Sequence, residues 1–174
     1  FGEAFLRRAL GRLLNGDVQG VHHAYVDTVN ALRRRQVTTR DVSSRVRLTK
    51  TPEQYLETRQ DRRELPYEAM LSSGRRTWDI GDRVRVYRTR GGEGAVVEEH
   101  EDAAAAADGG DKRNYDIEHY VRVLKENFAS RLARALTPAD YAAVFEDPDQ
   151  FSLLAPAMET MRPLLTVRRY RESP

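Results

Sequence analysis

The chain has 174 residues, no cysteine and a formal net charge of +2, a size that suits one domain or two small ones built around a real core. The lack of cysteine excludes disulfides, thiolate metal sites and cysteine nucleophiles. No apolar run approaches the length of a membrane span and no charged-then-apolar leader opens the chain, so a soluble cytoplasmic protein is expected. The small net charge hides a polarity: about +8 over the first 90 residues and about −6 over the rest, an asymmetry that bears on partners. The basic half is almost purely arginine, whose planar fork grips phosphate or carboxylate bidentately, although codon bias also enriches arginine and alanine together. The chain opens on Phe1 rather than methionine, already in helical periodicity, and we expect it to be a piece of a longer polypeptide.

Phe1, Phe5, Ala9 and Leu13 share one helical face, and Asn15-Gly16 stops that helix. Asp17 is a candidate cap for a second helix with Val18, Val21, Tyr25, Val29 and Leu32 at three- and four-residue steps, ending in Arg33-Arg34-Arg35. The two form a helical hairpin. Val37 to Ser44 reads as a turn. Arg45-Val46-Arg47-Leu48-Thr49 then alternates like a half-buried strand and runs into Thr51-Pro52-Glu53-Gln54, a capping box with proline at the first helical position. The spacing predicts a helix continuing past Tyr55 to Arg63, and a short one led by Pro66. Trp78 to Arg88 carries the clearest β pattern, with a Gly81-Asp82 turn and Val84 and Val86 alternating with arginine. Gly91-Gly92-Glu93-Gly94 reads as a hairpin loop and Ala95-Val96-Val97 as the returning strand. Arginine pointing outward implies one core face and one face that is wet or occupied by an anion.

Residues 98–114 read as a flexible linker. A long amphipathic helix is predicted from about Asp116 to Ala135, with Ile117, Tyr120, Leu124, Phe128 and Leu132 on one face. Thr137-Pro138 and Asp147-Pro148 open further helices, and Pro156 and Pro163 divide the tail. The expected fold is α+β and predominantly helical: a helical bundle with a small β-hairpin or antiparallel sheet. Its expected segments are a helical hairpin at 1–44, a core at 45–136 with the hairpin at about 80–97, and a C-terminal helical tail at 137–174.

No hydrolase or transferase motif is present: no Gly-x-Ser-x-Gly, no phosphate-cradling glycine loop before a helix, no His-Glu-x-x-His. His22 and His23 are helical neighbours and point apart; with His100 and His119 they suggest no metal site. The acidic cluster Glu98, Glu99, Glu101 and Asp102 falls in the linker, where rigid two-metal geometry is hard to hold. The expected chemistry is binding, with no activity for this chain alone. Three cationic spots stand out: Arg45-Arg47-Lys50, Arg59-Arg62-Arg63, and Lys112-Arg113. The first and last flank predicted helix starts, where a positive dipole end suits phosphate; the same residues also suit an ordinary turn with solvated cations.

Thr49-Lys50 followed by Tyr55, then a Pro66-led helix, then Ile80-Gly81-Asp82-Arg83-Val84-x-Val86-Tyr87, then Asn114-Tyr115-Asp116-Ile117-Glu118-His119-Tyr120 before a long helix, resembles the thumb of family B DNA polymerases of bacterial or archaeal type. That family has a Thr-Lys/Arg…Tyr helix start, a Gly-Asp-x-Val-x-Tyr strand and a Tyr-Asp-x-x-Tyr-Tyr helix start in this order. The likeness covers about Val42 to Phe128, the leading helices resemble the exit from the palm, and 137–174 carries none. Pro66-Tyr67 stands where the family often has Pro-His, and His119 replaces one of the paired tyrosines. The resemblance implies a domain that wraps primer–template duplex through its backbone, working with the palm and remaining domains as a nucleoid-associated monomer. By position, Thr49, Lys50, Lys112 and Arg113 would touch DNA, and the cationic spots add Arg47, Arg62 and Arg63; Gly81, Tyr87, Asp116 and Tyr120 would be structural. The aspartate-bearing palm motifs are missing, so Mg2+ and dNTP would belong to the palm and fingers and no cofactor to this chain. Two other readings are a helical sequence-specific regulator of nucleic acid and a protein-interaction module whose acidic half docks a basic partner.

Overall fold

Helix starts are marked by side chains that accept the otherwise free N–H groups, and the chain follows these marks closely. Asp17 Oδ1 accepts the Gly20 N–H at 2.7 Å ahead of α2 (Val18–Arg33), after α1 (Gly2–Leu14) has stopped at Asn15 and Gly16. Thr38, Thr51 and Thr137 each accept an N–H three residues on, opening α3 (Thr39–Val42), α4 (Pro52–Thr58) and α7 (Pro138–Val144). At Thr51 the box is reciprocal, with Gln54 reaching back. α5 (Leu65–Ser72) carries Pro66 in its first turn. The computed structural model describes residues 1–97, 110–149 and 157–164. Its fold is α+β and predominantly helical, as expected, with one three-stranded antiparallel sheet. Among the described residues no helix is long and apolar enough to cross a membrane.

The chain forms two compact units, one of Phe1–Asn30 with Val121–Pro174 and one of Ala31–Tyr120; the first therefore joins the opening helices to the tail that sequence order sets apart. In the first unit the rings of Phe5, Tyr25 and Phe145 meet edge to face, with centroids 5.3 Å apart for Tyr25–Phe145. A Cβ on Gly2 would lie 2.2 Å from the Phe128 ring, so any other residue there would displace that ring.

In the second unit β1 (Ser44–Arg47), β2 (Arg83–Arg88) and β3 (Gly94–Val96) lie in the order β1-β2-β3. Register places Arg45 opposite Arg85, Val46 opposite Val84 and Arg47 opposite Arg83. Val46, Val84 and Val86 point to the core, where Leu48, Tyr55, Tyr67, Met70 and Trp78 are buried. β3 approaches α5 so closely that a Cβ on Gly94 would sit 2.6 Å from the Leu65 carbonyl oxygen.

Several expectations are corrected. Residues 39–42 are a helical turn, since Thr38 and Asp41 close a capping arrangement. α4 ends at Thr58, whose hydroxyl donates back to the Gln54 and Tyr55 carbonyls, a local bond that competes with helix continuation. The strand starts at Arg83, directly after the Gly81-Asp82 turn as expected, and Trp78 lies in the loop before that turn. The predicted long α-helix is α-helical only over α6 (Ile117–Val123); it loosens to π over Leu124–Phe128 and tightens to 3₁₀ over Ala129–Ala135. The buried residues Leu124, Ala129 and Leu132 step by five and then three, which seats small Ala129 in the core and leaves Phe128 half-buried against Phe1. At Asp147-Pro148 the Asp149 N–H goes to Asp147 Oδ1, and the helix expected to follow lies outside the described residues. Of the predicted linker, residues 98–109 lie outside the described residues, as do Glu98, Glu99, His100, Glu101, Asp102 and Pro156. Residues 111–114 are not slack, because Asp111 Oδ2 accepts the Thr39 N–H at 3.0 Å.

Candidate nucleic-acid interface

β1 delivers the chain from the sheet to the start of α4 through Leu48-Thr49-Lys50, and this corner is fixed from beneath. Leu48 is fully buried, its N–H on the Asp82 carbonyl at 2.8 Å. Tyr67 Oη then accepts two successive backbone N–H groups, from Thr49 at 2.9 Å and from Lys50 at 3.0 Å. The Trp78 indole N–H donates to the Lys50 carbonyl at 2.9 Å. Tyr67 stacks on Tyr55 at 4.6 Å and packs against Trp78 at 5.8 Å. Thus Tyr67, which departs from the Pro-His pattern, acts as a buried acceptor that sets the Thr49–Lys50 backbone. Thr49 itself is exposed.

The charges at the corner are partly spoken for. Lys50 Nζ lies 2.6 Å from Glu64 Oε1 and 3.4 Å from Thr58 Oγ1, with about a third of both ion-pair side chains exposed (33% and 29%). Arg59 forks onto Glu68 at 2.7 and 3.0 Å, and Tyr55 donates to the same carboxylate at 2.5 Å. The Arg59 bonds, opposed in part by burial, hold the Glu68 pKa below the usual carboxylate value; burial and Glu68 push the Tyr55 phenol up. Arg62 and Arg63 are exposed in the turn between α4 and α5. The α4 entrance has no spare donor for an anion at Gln54, whose N–H goes to Thr51.

Lys112 and Arg113 are placed differently. α6 is capped by Asp116, whose Oδ1 accepts the His119 N–H at 3.1 Å and whose Oδ2 pairs with Arg88 at 3.2 Å. Arg113 turns to Arg35: each donates its guanidinium to the other's carbonyl, Arg113 Nη1 at 3.1 Å from the Arg35 oxygen. Both adopt left-handed backbone angles, φ +55° and +41°, uncommon without glycine. Burial pushes the Asp111 carboxyl up, but bonds from Thr39 and Arg113 outweigh it and lower its pKa. Lys112 alone of this pair is exposed. Among the described residues no hydrogen bond or ion pair joins Lys112 or Arg113 to the Thr49–Lys50 corner.

The motif residues expected to be structural have defined structural contacts. Gly81 adopts φ +103°, Tyr87 Oη donates to Asn114 Oδ1 at 2.8 Å, and Tyr120 Oη accepts the Arg88 N–H at 2.8 Å. Compared with protein-family models, curated proteins and solved structures, the chain matches none.

Sequence reasoning singled out Arg47 and grouped Arg45 with it, but did not place Arg83 and Arg85 beside them on the sheet. Their signal was the shared alternation of Arg45/Arg47 and Arg83/Arg85, which becomes informative only with the register that sets them opposite one another. No cluster of three metal-ligating side chains occurs among the described residues. His22 is engaged through Nδ1 with the Val144 carbonyl at 2.8 Å.

Proposed function

We propose that this chain is a non-catalytic thumb domain of a family B DNA-directed DNA polymerase, gripping primer–template duplex through sequence-independent contacts to the phosphate backbone. The observation that carries the reading is the clamp beneath Thr49–Lys50. Tyr55, Tyr67 and Trp78 pack together beneath the corner, and the Tyr67 hydroxyl and the Trp78 indole N–H are spent on the backbone of Thr49–Lys50, a segment with exposed Thr49 and partly exposed Lys50. Rigid support under a surface segment suits a contact surface better than a solvated turn, because pre-ordering removes an entropic cost of binding. The segment is also the one that the motif resemblance assigns to DNA. Chemistry would then belong to the palm and fingers, with Mg2+ and dNTP bound there.

Each neutralised phosphate contributes about −0.9 to the log–log salt slope, so roughly four contacts imply about a hundredfold loss of affinity between 50 and 200 mM salt. The expected dissociation constant at physiological salt is ~10⁻⁴ to 10⁻⁶ M. Fluorescence anisotropy with a labelled primer–template at low salt tests this. Absence of binding at high micromolar protein, or enrichment of particular sequences in a randomised-site selection, would overturn it, the latter in favour of a regulator.

A further inference from the structure

We infer that the cleft between α1 and α2 is a binding site for a phosphorylated sugar or similar polyol, with the phosphate on the arginines of α1 and the hydroxyls on α2. It stands apart from the Thr49–Lys50 corner and rests neither on the polymerase resemblance nor on DNA binding. The two helices bury Phe5, Ala9 and Leu13, and Val18, Val21 and Tyr25, in the core. Away from these residues they part around a cleft of about 630 Å³, within the range of small-molecule sites, roughly 300–1,000 Å³. Such sites are mostly apolar. This one is polar or small throughout, with no apolar side chain larger than Ala24. A ligand that suits it is therefore polar on every side.

The two walls differ in chemistry. α1 lines the cleft with Arg7, Arg8 and Arg12 and with no carboxylate, while α2 lines it with Gln19, His23 and Asp27. Arg8 and Arg12 stand one turn apart on the same face. Arg8 Nη2 donates to the Thr28 hydroxyl at 2.9 Å, a neutral partner that orients the guanidinium and leaves its charge. Arg12 pairs with Asp17 at 3.2 Å, but 63% of its side chain is exposed, and such surface pairs are weak enough to exchange. The other Asp17 oxygen takes the Gly20 N–H. Asp27 is exposed and makes no hydrogen bond or ion pair with a described residue, so it is the carboxylate left for a ligand. An ionised carboxylate only accepts, and hydroxyls on adjacent carbons satisfy both its oxygens. Arginine forks in turn grip phosphate bidentately.

Gly11 supports this independently. A Cβ there would meet nothing within 4 Å, so packing does not call for glycine, which costs a helix stability relative to alanine. At Gly20 packing does, since a Cβ would lie 2.2 Å from Asp17 Oδ2 and 2.8 Å from Arg12 Cδ. Gly11 lines the cleft next to Arg12, and bare backbone at that point lets a ligand approach the helix closely.

The test titrates the whole chain at low salt, by calorimetry, with glucose 6-phosphate, ribose 5-phosphate and glycerol 3-phosphate, and with inorganic phosphate and the unphosphorylated polyols as their halves. At least one of the phosphorylated compounds is expected to bind roughly tenfold more tightly than either half. Arg12→Gln should weaken that binding by roughly tenfold to a hundredfold, through loss of a charge-assisted hydrogen bond. Asp27→Asn should bring the compound down to the affinity of inorganic phosphate, while inorganic phosphate itself binds no less tightly. A cationic surface without a hydroxyl site would instead bind both more tightly once a negative charge is removed. Gly11→Leu should fill the cleft and abolish binding with Tm unchanged or higher, because leucine is the stronger helix former; unfolding cannot produce that combination. Lys50→Ala should leave this binding intact, so the cleft and the corner fail separately. The proposal is overturned if none of the three compounds binds at millimolar concentration, or if inorganic phosphate binds equally well, which would mean an adventitious ion only. Tighter binding of the compound by Asp27→Asn, or undiminished binding by Gly11→Leu, would overturn it as well.

Discussion

At Thr49–Lys50 the backbone is held from below by Tyr67 and Trp78 and the side chains stay at the surface. At Lys112–Arg113 the guanidinium turns inward, onto the carbonyl of Arg35. The two stretches look alike in sequence, each a cation ahead of a helix start. In neither does the helix itself offer a free anion site, because Thr51 and Gln54 close one entrance and Asp116 the other. The dipole argument for a phosphate therefore has to be carried by side chains, and those differ. One corner spends buried aromatics to present a surface segment; the other spends its arginine to close the chain on itself.

The largest effect that separates the two should come from Tyr67→Phe. It removes the acceptor of two backbone N–H groups without changing the stack, and should destabilise the protein by about 1–3 kcal/mol, measured by urea denaturation. If the clamp exists to present Thr49 and Lys50, DNA affinity in the folded variant should fall as well. Arg113→Ala should also destabilise, by roughly 1–2 kcal/mol through loss of the exchange with Arg35, yet leave the salt slope unchanged. A reduced slope for Arg113→Ala, with Tyr67→Phe binding normally, would reverse the roles of the two stretches.

Acid probes the same pair of regions with a smaller effect. Glu68 reports on the corner through Tyr55 and Arg59, and Asp111 on the other stretch through Thr39 and Arg113. Both carboxyls have folded pKa values below their ordinary ones. The unfolded chain therefore takes up protons first as pH falls. The stability these groups supply is complete above the ordinary carboxylate range, roughly pH 4–5, and is lost as pH drops through the lower folded values. Thermal unfolding followed from pH 7 to pH 2.5 should show this loss, and Asp111→Asn and Glu68→Gln should each flatten part of it. A wild-type curve flat across that range would remove both carboxyls from the account.

Much of the architecture was written locally. Thr51-Pro52-x-Gln54, Asp17 and Thr137 announce their helices because capping involves side chains within three residues. The strands were legible as alternation, but alternation does not state which strand lies beside which, so the four-arginine face was not. What failed was periodicity extended too far. The pattern Leu124, Phe128, Leu132 suits an α-helix, yet the fold buries Ala129 and shifts the winding to do so. The inward turn of Arg113 was equally hidden, since its partner Arg35 is remote in sequence and both depend on left-handed backbone angles.

The smallest expected effect is also the sharpest on the corner itself. Lys50 is held by Glu64 in a partly exposed pair, and such pairs are worth only about 0–1 kcal/mol. A phosphate reaching Lys50 must displace that carboxylate, whereas the Lys50 backbone cannot move, being fixed on both sides by Tyr67 and Trp78. Glu64→Gln should therefore tighten duplex binding a few-fold with little change in stability, and Lys50→Ala should weaken it and lower the salt slope by about one. Distinguishing a released grip from a general loss of negative charge needs the double variant. If Lys50 is the phosphate contact, Glu64→Gln has nothing to release once Lys50 is alanine, and the two changes are strongly non-additive. If Glu64 merely repels DNA at a distance, its removal tightens binding by the same factor with or without Lys50. Lys112→Ala provides the counterpart on the other stretch. Its side chain is exposed and not held by a described partner, so stability should not change. A drop of about one in its salt slope would mean that Lys112 contacts phosphate independently of the inward-turned Arg113.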